Sequence, residues 1–175
     1  MAKSFKLEAG TIHMALVRDV QNTEEIRKKI QSGDETLRAC GLVRPSLILD
    51  PIQLVVAANK SLLSAQREDL TTKSVITETL YNLSPSKNIR QSLVNFGIGA
   101  GDKDVLVFVV GDDDDFRHLE AARHVISGRW VDINELEGIS DKSRIKKMYD
   151  IKDTESECFD LLDSVVSRIA VKKCL

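Results

Sequence analysis

The chain has 175 residues, 42% hydrophobic and 30% charged, and a formal net charge of −2. That length predicts one domain, residues 1–175, with a sizeable core, and the balance is that of a folded chain rather than a disordered one. The near-neutral charge argues against a broad nucleic-acid platform, and the apolar runs are too short to cross a bilayer.

The opening MAKSFKLEAG lacks the apolar centre of a secretory signal, and Cys40, Cys158 and Cys174 have no paired spacing, so reduced thiols inside a cell are expected. Cys174 is penultimate, the wrong place for a prenylation box. Residues 12–20, IHMALVRDV, alternate loosely and predict a strand. A short helix should follow from Asn22 or Thr23, with Glu24 and Glu25 suited to its positive first turn. Leu47–Leu49 reads as a short buried strand.

Asp50 and Pro51 start the first of three closely spaced helical segments: the carboxylate caps orphan amides and proline tolerates the first helical position. Ile52, Leu54, Val55, Val56, Ala57 and Ala58 cover nearly the whole circumference, as in a helix buried on most sides, and Asn59 and Lys60 interrupt them. The second segment carries Val75, Ile76, Leu80, Tyr81 and Leu83 and should end before Pro85. Asn88 caps the third, with Gln91 completing a capping box. Ile89, Leu93 and Phe96 share one face there, and Gly97 is expected as a left-handed terminator.

Val105–Val110 is a β-branched, aromatic run between Gly101 and Gly111, the strongest strand signal in the chain. Asp112–Asp115 then suit the start of a helix over FRHLEAARHVI. Residues 128–133 should return as a strand bearing Trp130, and SDKSRIKKMYDI as a helix capped by Ser140 or Asp141. A last helix is expected from about Thr154 to Val171. Strands and helices mix without strict alternation, which predicts an α+β fold rather than a doubly wound parallel sheet.

Catalytic chemistry finds little purchase. GIGAG at Gly97–Gly101 follows a helix and precedes a strand, the reverse of a phosphate loop, and no Gly-Lys-Ser/Thr appears. Asp112–Asp115 lack the alternating spacing of a calcium loop. His13, His118 and His124 have no metal-ligand spacing, and no nucleophile elbow is present. No catalytic residue, metal ligand or cofactor site is therefore assigned, and the chain is read as non-enzymatic. On the final helix, Cys158, Phe159, Leu161, Leu162, Val165, Val166, Ile169 and Ala170 fill about half the circumference, more than docking on one core needs. The excess either packs beneath the sheet or faces another protein.

VVAANK, then TKSVITETLYNLSPSKNI, then LVNFGI, with the closing LLDSVVSRIAVKKCL, together resemble the PRPK-binding protein family (TPRKB), the small kinase-binding subunit of the KEOPS/EKC complex. The resemblance is carried by Leu47 to Ile98 and by the final segment. It implies a small, mostly antiparallel sheet wrapped by helices, with a helical subregion near residues 51–98, and a place in the cytoplasm and nucleus. It also implies a non-catalytic role in a complex that attaches threonylcarbamoyl to the adenosine beside the anticodon of tRNA. The partners it implies are a small atypical kinase with ATPase activity, indirectly a metal-containing transferase, and tRNA, with no membrane.

By that resemblance the 3′ CCA end of tRNA would meet Asn59, Lys60, Lys73, Asn82, Ser84, Pro85, Asn88 and Ile89. A single-stranded end wants cations for phosphates, amides for base edges and apolar faces for stacking. Lys60, Lys73 and Arg90 offer the first, Asn59, Asn82 and Asn88 the second, and Tyr81, Leu83 and Ile89 the third. A cap for Asn88 and a satisfied buried amide for Asn59 are the alternatives. The resemblance also assigns the kinase contact to the final helix and tail, through Leu162, Val166, Ile169 and Leu175. A pure adaptor of the kinase, without RNA contact, would need only that helix and the one near Asn22–Ser32. A small enzyme built on the acidic knot is the remaining reading.

Overall fold

The structure is a computed structural model and describes residues 2–172. Its centre is β2 (Gly10–Arg18), buried along almost its whole length. Antiparallel to it runs β4 (Val105–Gly111), with Ile12 opposite Val110 and Val17 opposite Val105. The other edge of β2 is shared: β1 (Lys3–Leu7) pairs with its first half and β5 (Arg129–Val131) with its end. A short β3 (Gly41–Val43) closes the far side of β4. Every pairing is antiparallel, so the sheet is the one that the resemblance implied.

Side chains alternate between the two faces of a strand, and both faces of this sheet are covered. Ile12, Met14, Leu16, Val43, Leu106 and Phe108 point to one side, where they meet five helices. These are α3 (Ile52–Gln66), α4 (Val75–Leu83), α5 (Ile89–Phe96), α7 (Lys142–Met148) and α9 (Leu161–Val171). Ala15, Val17, Leu42, Val105, Val107 and Val109 point to the other side. There they meet α1 (Thr23–Ser32), α2 (Glu35–Arg38) and α6 (Phe116–Arg123) through Ile26, Leu37, Leu119 and Ala122. Burial on both faces explains why VLVFVV is continuously apolar rather than alternating. Cys40 lies in this second layer, where burial pushes its thiol up to about 12 and leaves it unreactive.

Several elements differ from the sequence reading. Leu47–Leu49 is not a strand: Pro45–Leu47 form a 3₁₀ turn with proline at its start, and Ile48 N–H closes it on Pro45 O at 3.0 Å. Its apolar residues plug the core below α3 rather than joining the sheet. The strand of this region is β3, whose three residues are too few to show a period. Gly97 is extended, at φ −67°, not left-handed. Glycine is needed there for space, since a Cβ would lie 2.5 Å from Leu93 O. Asn88 Oδ1 does cap Gln91 N–H at 2.9 Å, but the Gln91 side chain turns to Asn95 Oδ1 instead of closing the box.

The largest departure is at the C-terminal end. The expected single helix is two, α8 (Asp153–Cys158) and α9, broken where Phe159 is extended and Asp160 Oδ1 caps Leu162 N–H at 2.8 Å. An aspartate that bonds the next amides starts a helix more readily than it continues one. Arg168 grips Glu155 with two hydrogen bonds of 2.7 and 2.8 Å and so ties α8 to α9.

Candidate functional site

The residues singled out for RNA contact fall into four places. Asn82 and Ser84 lie at the inner side and end of α4, 0% and 1% exposed. Asn82 Nδ2 donates to Ser61 Oγ at 2.9 Å, which in turn bonds Ala57 O, so this amide welds α4 to α3. It cannot touch RNA without opening that packing. Tyr81 and Leu83 are buried too and offer no stacking face. The apolar run that suggested a surface is core, because α4 sits between α3 and α5.

The chain leaves the core just after Ser84, whose Oγ accepts Ser86 N–H at 3.1 Å. Pro85, Lys87, Asn88, Ile89 and Arg90 are all exposed, Ile89 by 38%. Asn88 has its alternative role as well, since its Oδ1 caps α5; its Nδ2 has no hydrogen-bond partner among the described residues. Tyr149, whose hydroxyl is pushed above its ordinary range by burial, donates to Leu83 O at 2.5 Å and fixes the root of this segment. Lys73 is exposed at the opposite end of α4, about 14 Å away along a nine-residue helix.

Asn59 and Lys60 lie elsewhere, on the seam between α3 and α9. Lys60 Nζ donates to Ile169 O and Ala170 O, each at 2.7 Å, a cation placed on the last carbonyls of α9 where the helix dipole favours it. The Asn59 Oδ1 atom is enclosed and has no partner among the described residues, so the satisfied buried amide is not what forms. Beside them a groove of about 350 Å³ runs between α3, α9 and the β1–β2 turn, floored by Val55, Val56 and Leu7. The sequence held one signal of it: Ile52–Ala58 is apolar on most sides, and Val55 and Val56, which pack only partly against the main core, line the groove.

The four residues expected to meet the kinase separate as well. Ile169 is 1% exposed and packs with Val165 into the main core; it is not a surface residue. The reason is the break before Asp160, which sets the phase of α9 so that Val165 and Ile169 face α3. Leu162 and Val166 are half-buried, and Leu175 lies outside the described residues. The exposed apolar side chains at this end are Phe159 and Val171, 65% and 42% exposed. Lys172 is buried against the Tyr81 ring and donates to Tyr81 O.

The acidic knot has local partners. Asp113 takes Lys6 Nζ and, at 2.7 Å, Thr11 Oγ1, and these bonds hold its carboxyl below the usual range. Asp115 accepts Asp112 N–H at 2.9 Å, which starts the turn into α6. His13 is buried between Ser4 Oγ and Asp112 O, edge-on to Phe116. His118 faces Asp115 at 3.6 Å. These contacts fasten β1 and the β4–α6 turn to β2; they do not converge on a common point.

The family model of kinase binding protein CGI-121 matches residues 17–173. The EKC/KEOPS complex subunit TPRKB of Danio rerio is 32% identical over 162 residues, covering 93% of this chain and 91% of the relative. The EKC/KEOPS complex subunit cgi121 of Aspergillus terreus is 31% identical over 157 residues, 87% of this chain and 80% of the relative. That of Aspergillus fumigatus is 29% identical over 171 residues, 92% and 89%.

Proposed function

Since the chain belongs to the kinase binding protein CGI-121 family, we propose that it is a non-catalytic subunit of an EKC/KEOPS-type complex. In that role it binds and regulates the small atypical kinase subunit and presents the 3′ CCA end of tRNA for threonylcarbamoylation. The observation that supports the RNA half of this reading is the Pro85–Arg90 segment. It leaves a rigid root at Ser84 and Tyr149 and turns two cations, one amide, a proline ring and an isoleucine to solvent within six residues. A single-stranded end needs those groups, and a chain of net charge −2 can offer them locally without attracting duplexes. The site reduces to Pro85, Asn88 and Ile89 with Lys87 and Arg90, and Lys73 lies at its far margin.

The kinase half is supported by the other end of the molecule. Leu162 and Val166, one turn apart and half-buried, leave an apolar margin along α9, and Phe159 before the helix and Val171 at its end expose further apolar surface, of the kind that protein interfaces use at their centre. Binding of the purified kinase subunit, followed by a salt titration with tRNA having or lacking its CCA end, tests both halves. Kinase capture with CCA-dependent, salt-sensitive RNA binding is expected. Kinase capture without RNA binding would leave the adaptor reading, and loss of both would overturn the proposal.

A further inference from the structure

The helix α7 brings cations to the same side of the sheet as the Pro85–Arg90 segment. Lys142, Arg144, Lys146 and Lys147 stand within six residues that contain no acid, in a chain of net charge −2. The carboxylates beside them are engaged: Asp141 Oδ1 caps Arg144 N–H at 2.9 Å, Asp150 pairs with Lys152, and Asp153 with Lys146. Arg144 and Lys147 are exposed and form no salt bridge among the described residues, and the same holds for Lys87 and Arg90. Exposed charges are content in water, so two such sets matter only if one ligand reaches both. The helix α5 joins them. Asn88, Gln91 and Asn95 fall on one side of it, about 10 Å from end to end. Gln91 Nε2 donates to Asn95 Oδ1 at 2.7 Å, and Asn95 Nδ2 meets the Met148 sulfur at 3.6 Å. Arg144 lies one turn before Met148 on α7, and Lys147 one turn after Arg144, both away from the buried Ile145. Tyr149 fixes the spacing, its ring edge-on to Phe96 of α5 and its hydroxyl on Leu83 O.

We infer that α7 binds the phosphate backbone of the same RNA: the strand whose 3′ end lies on the Pro85–Arg90 segment continues along α5, and Arg144 and Lys147 neutralise phosphates on the 5′ side of that end. The inference rests on the RNA half of the function proposed above and extends its site to a second element. A polyanion meets both sets of cations without breaking an internal ion pair, and the amides between them can bond sugar or phosphate oxygens. Proteins that hold single strands track the backbone with such basic surfaces over about 4–16 nucleotides, a longer run than the CCA end itself.

The test measures the affinity of the intact chain for whole tRNA, for a short oligonucleotide ending in CCA, and for the purified kinase subunit. Arg144→Glu with Lys147→Glu should lower tRNA affinity more than about tenfold. The slope of log affinity against log salt should shrink by about 1.4 if the two phosphates lost belong to a single strand, and by about 1.8 if they belong to a duplex. The short oligonucleotide, held at the Pro85–Arg90 segment alone, and the kinase should bind as before. Arg144→Gln with Lys147→Gln should act in the same direction to a smaller degree. Lys28→Glu with Arg38→Glu makes the same change of charge on α1 and α2, across the sheet, and should cost tRNA affinity less than about threefold. All four positions are exposed, so each variant should keep the wild-type melt. Unchanged tRNA affinity in the α7 variants would overturn the inference. So would an equal loss in the α1–α2 variant, which would make the effect one of net charge, or an equal loss for the short oligonucleotide, which would place Arg144 and Lys147 at the 3′ end itself. Kinase binding lost with tRNA binding intact would overturn it too, by giving α7 to the protein interface. A wild-type chain that binds no CCA-ended RNA would instead remove the reading beneath the inference, an outcome distinct from wild-type binding that the α7 variants leave intact.

Discussion

The Ser84–Arg90 segment, by the cations, amides and isoleucine it offers, and α9, by an apolar face wider than docking on one core needs, both read as binding surfaces in the sequence. The fold treats them oppositely. After Ser84 almost every side chain goes to solvent, Ile89 included, while α9 sends Val165 and Ile169 completely into the core and leaves Leu162 and Val166 half-covered. A helix that lies against its own sheet has first claim on its best apolar residues. What remains for a partner is the margin, whereas a loop rooted at one point can present all that it carries.

That contrast can be broken most severely at Ile169. Ile169→Glu puts an unpaired charge at a 1% exposed position between α9 and α3, and should destabilise the chain by more than about 4 kcal/mol, or abolish a cooperative melt. Urea unfolding measures it. A variant that melts normally and only fails to bind the kinase would return Ile169 to the interface.

On the loop side, Tyr149→Phe removes the hydroxyl that bonds Leu83 O, the carbonyl one residue before the segment begins. The cost should be about 1–3 kcal/mol, because the buried carbonyl loses its donor. Weaker tRNA binding should accompany it as the root of the loop loosens. If stability falls and RNA affinity does not, the root is structural only. Lys87→Glu with Arg90→Glu, both on exposed positions, should leave stability within about 0.5 kcal/mol and kinase binding untouched. The slope of log affinity against log salt for tRNA should shrink by about 1.4 if two phosphates are lost. An unchanged slope would remove the loop from the RNA site.

How much of this was legible in the residues varies by element. α3, α4 and α5 were readable because Asp50, Pro85 and Asn88 punctuate them, and β2 and β4 because long apolar strands are hard to mistake. β1 and β3 were not: β1 carries lysines on an exposed edge, and β3 has three residues. Asn82 and Asn88 shared an identity and a neighbourhood, yet one is a weld in the core and the other a cap on the surface. Only the packing of α4 between α3 and α5 distinguishes them. Lys60 is the same lesson at longer range, since its acceptors, Ile169 O and Ala170 O, lie 109 and 110 residues away.

The smallest effect belongs to the strut that holds α8 on α9. The bidentate Arg168 guanidinium holds the Glu155 carboxyl down to about 2 from its ordinary 4.5. A carboxyl depressed in the folded state binds its proton more readily in the unfolded chain, so the pair stabilises above pH 4.5 and ceases to as pH falls toward 2. Wild type should therefore exceed Glu155→Gln in melting temperature by a small margin at neutral pH, and the two curves should converge as pH drops through that window. The margin is small because both side chains keep about a third of their surface in water, where salt screens them. It should shrink further as salt is added. A margin that persists at pH 2 and in high salt would mean that Glu155 acts through packing rather than charge. The α8–α9 angle, and with it the place of Phe159 at the start of α9, would then be set by shape alone.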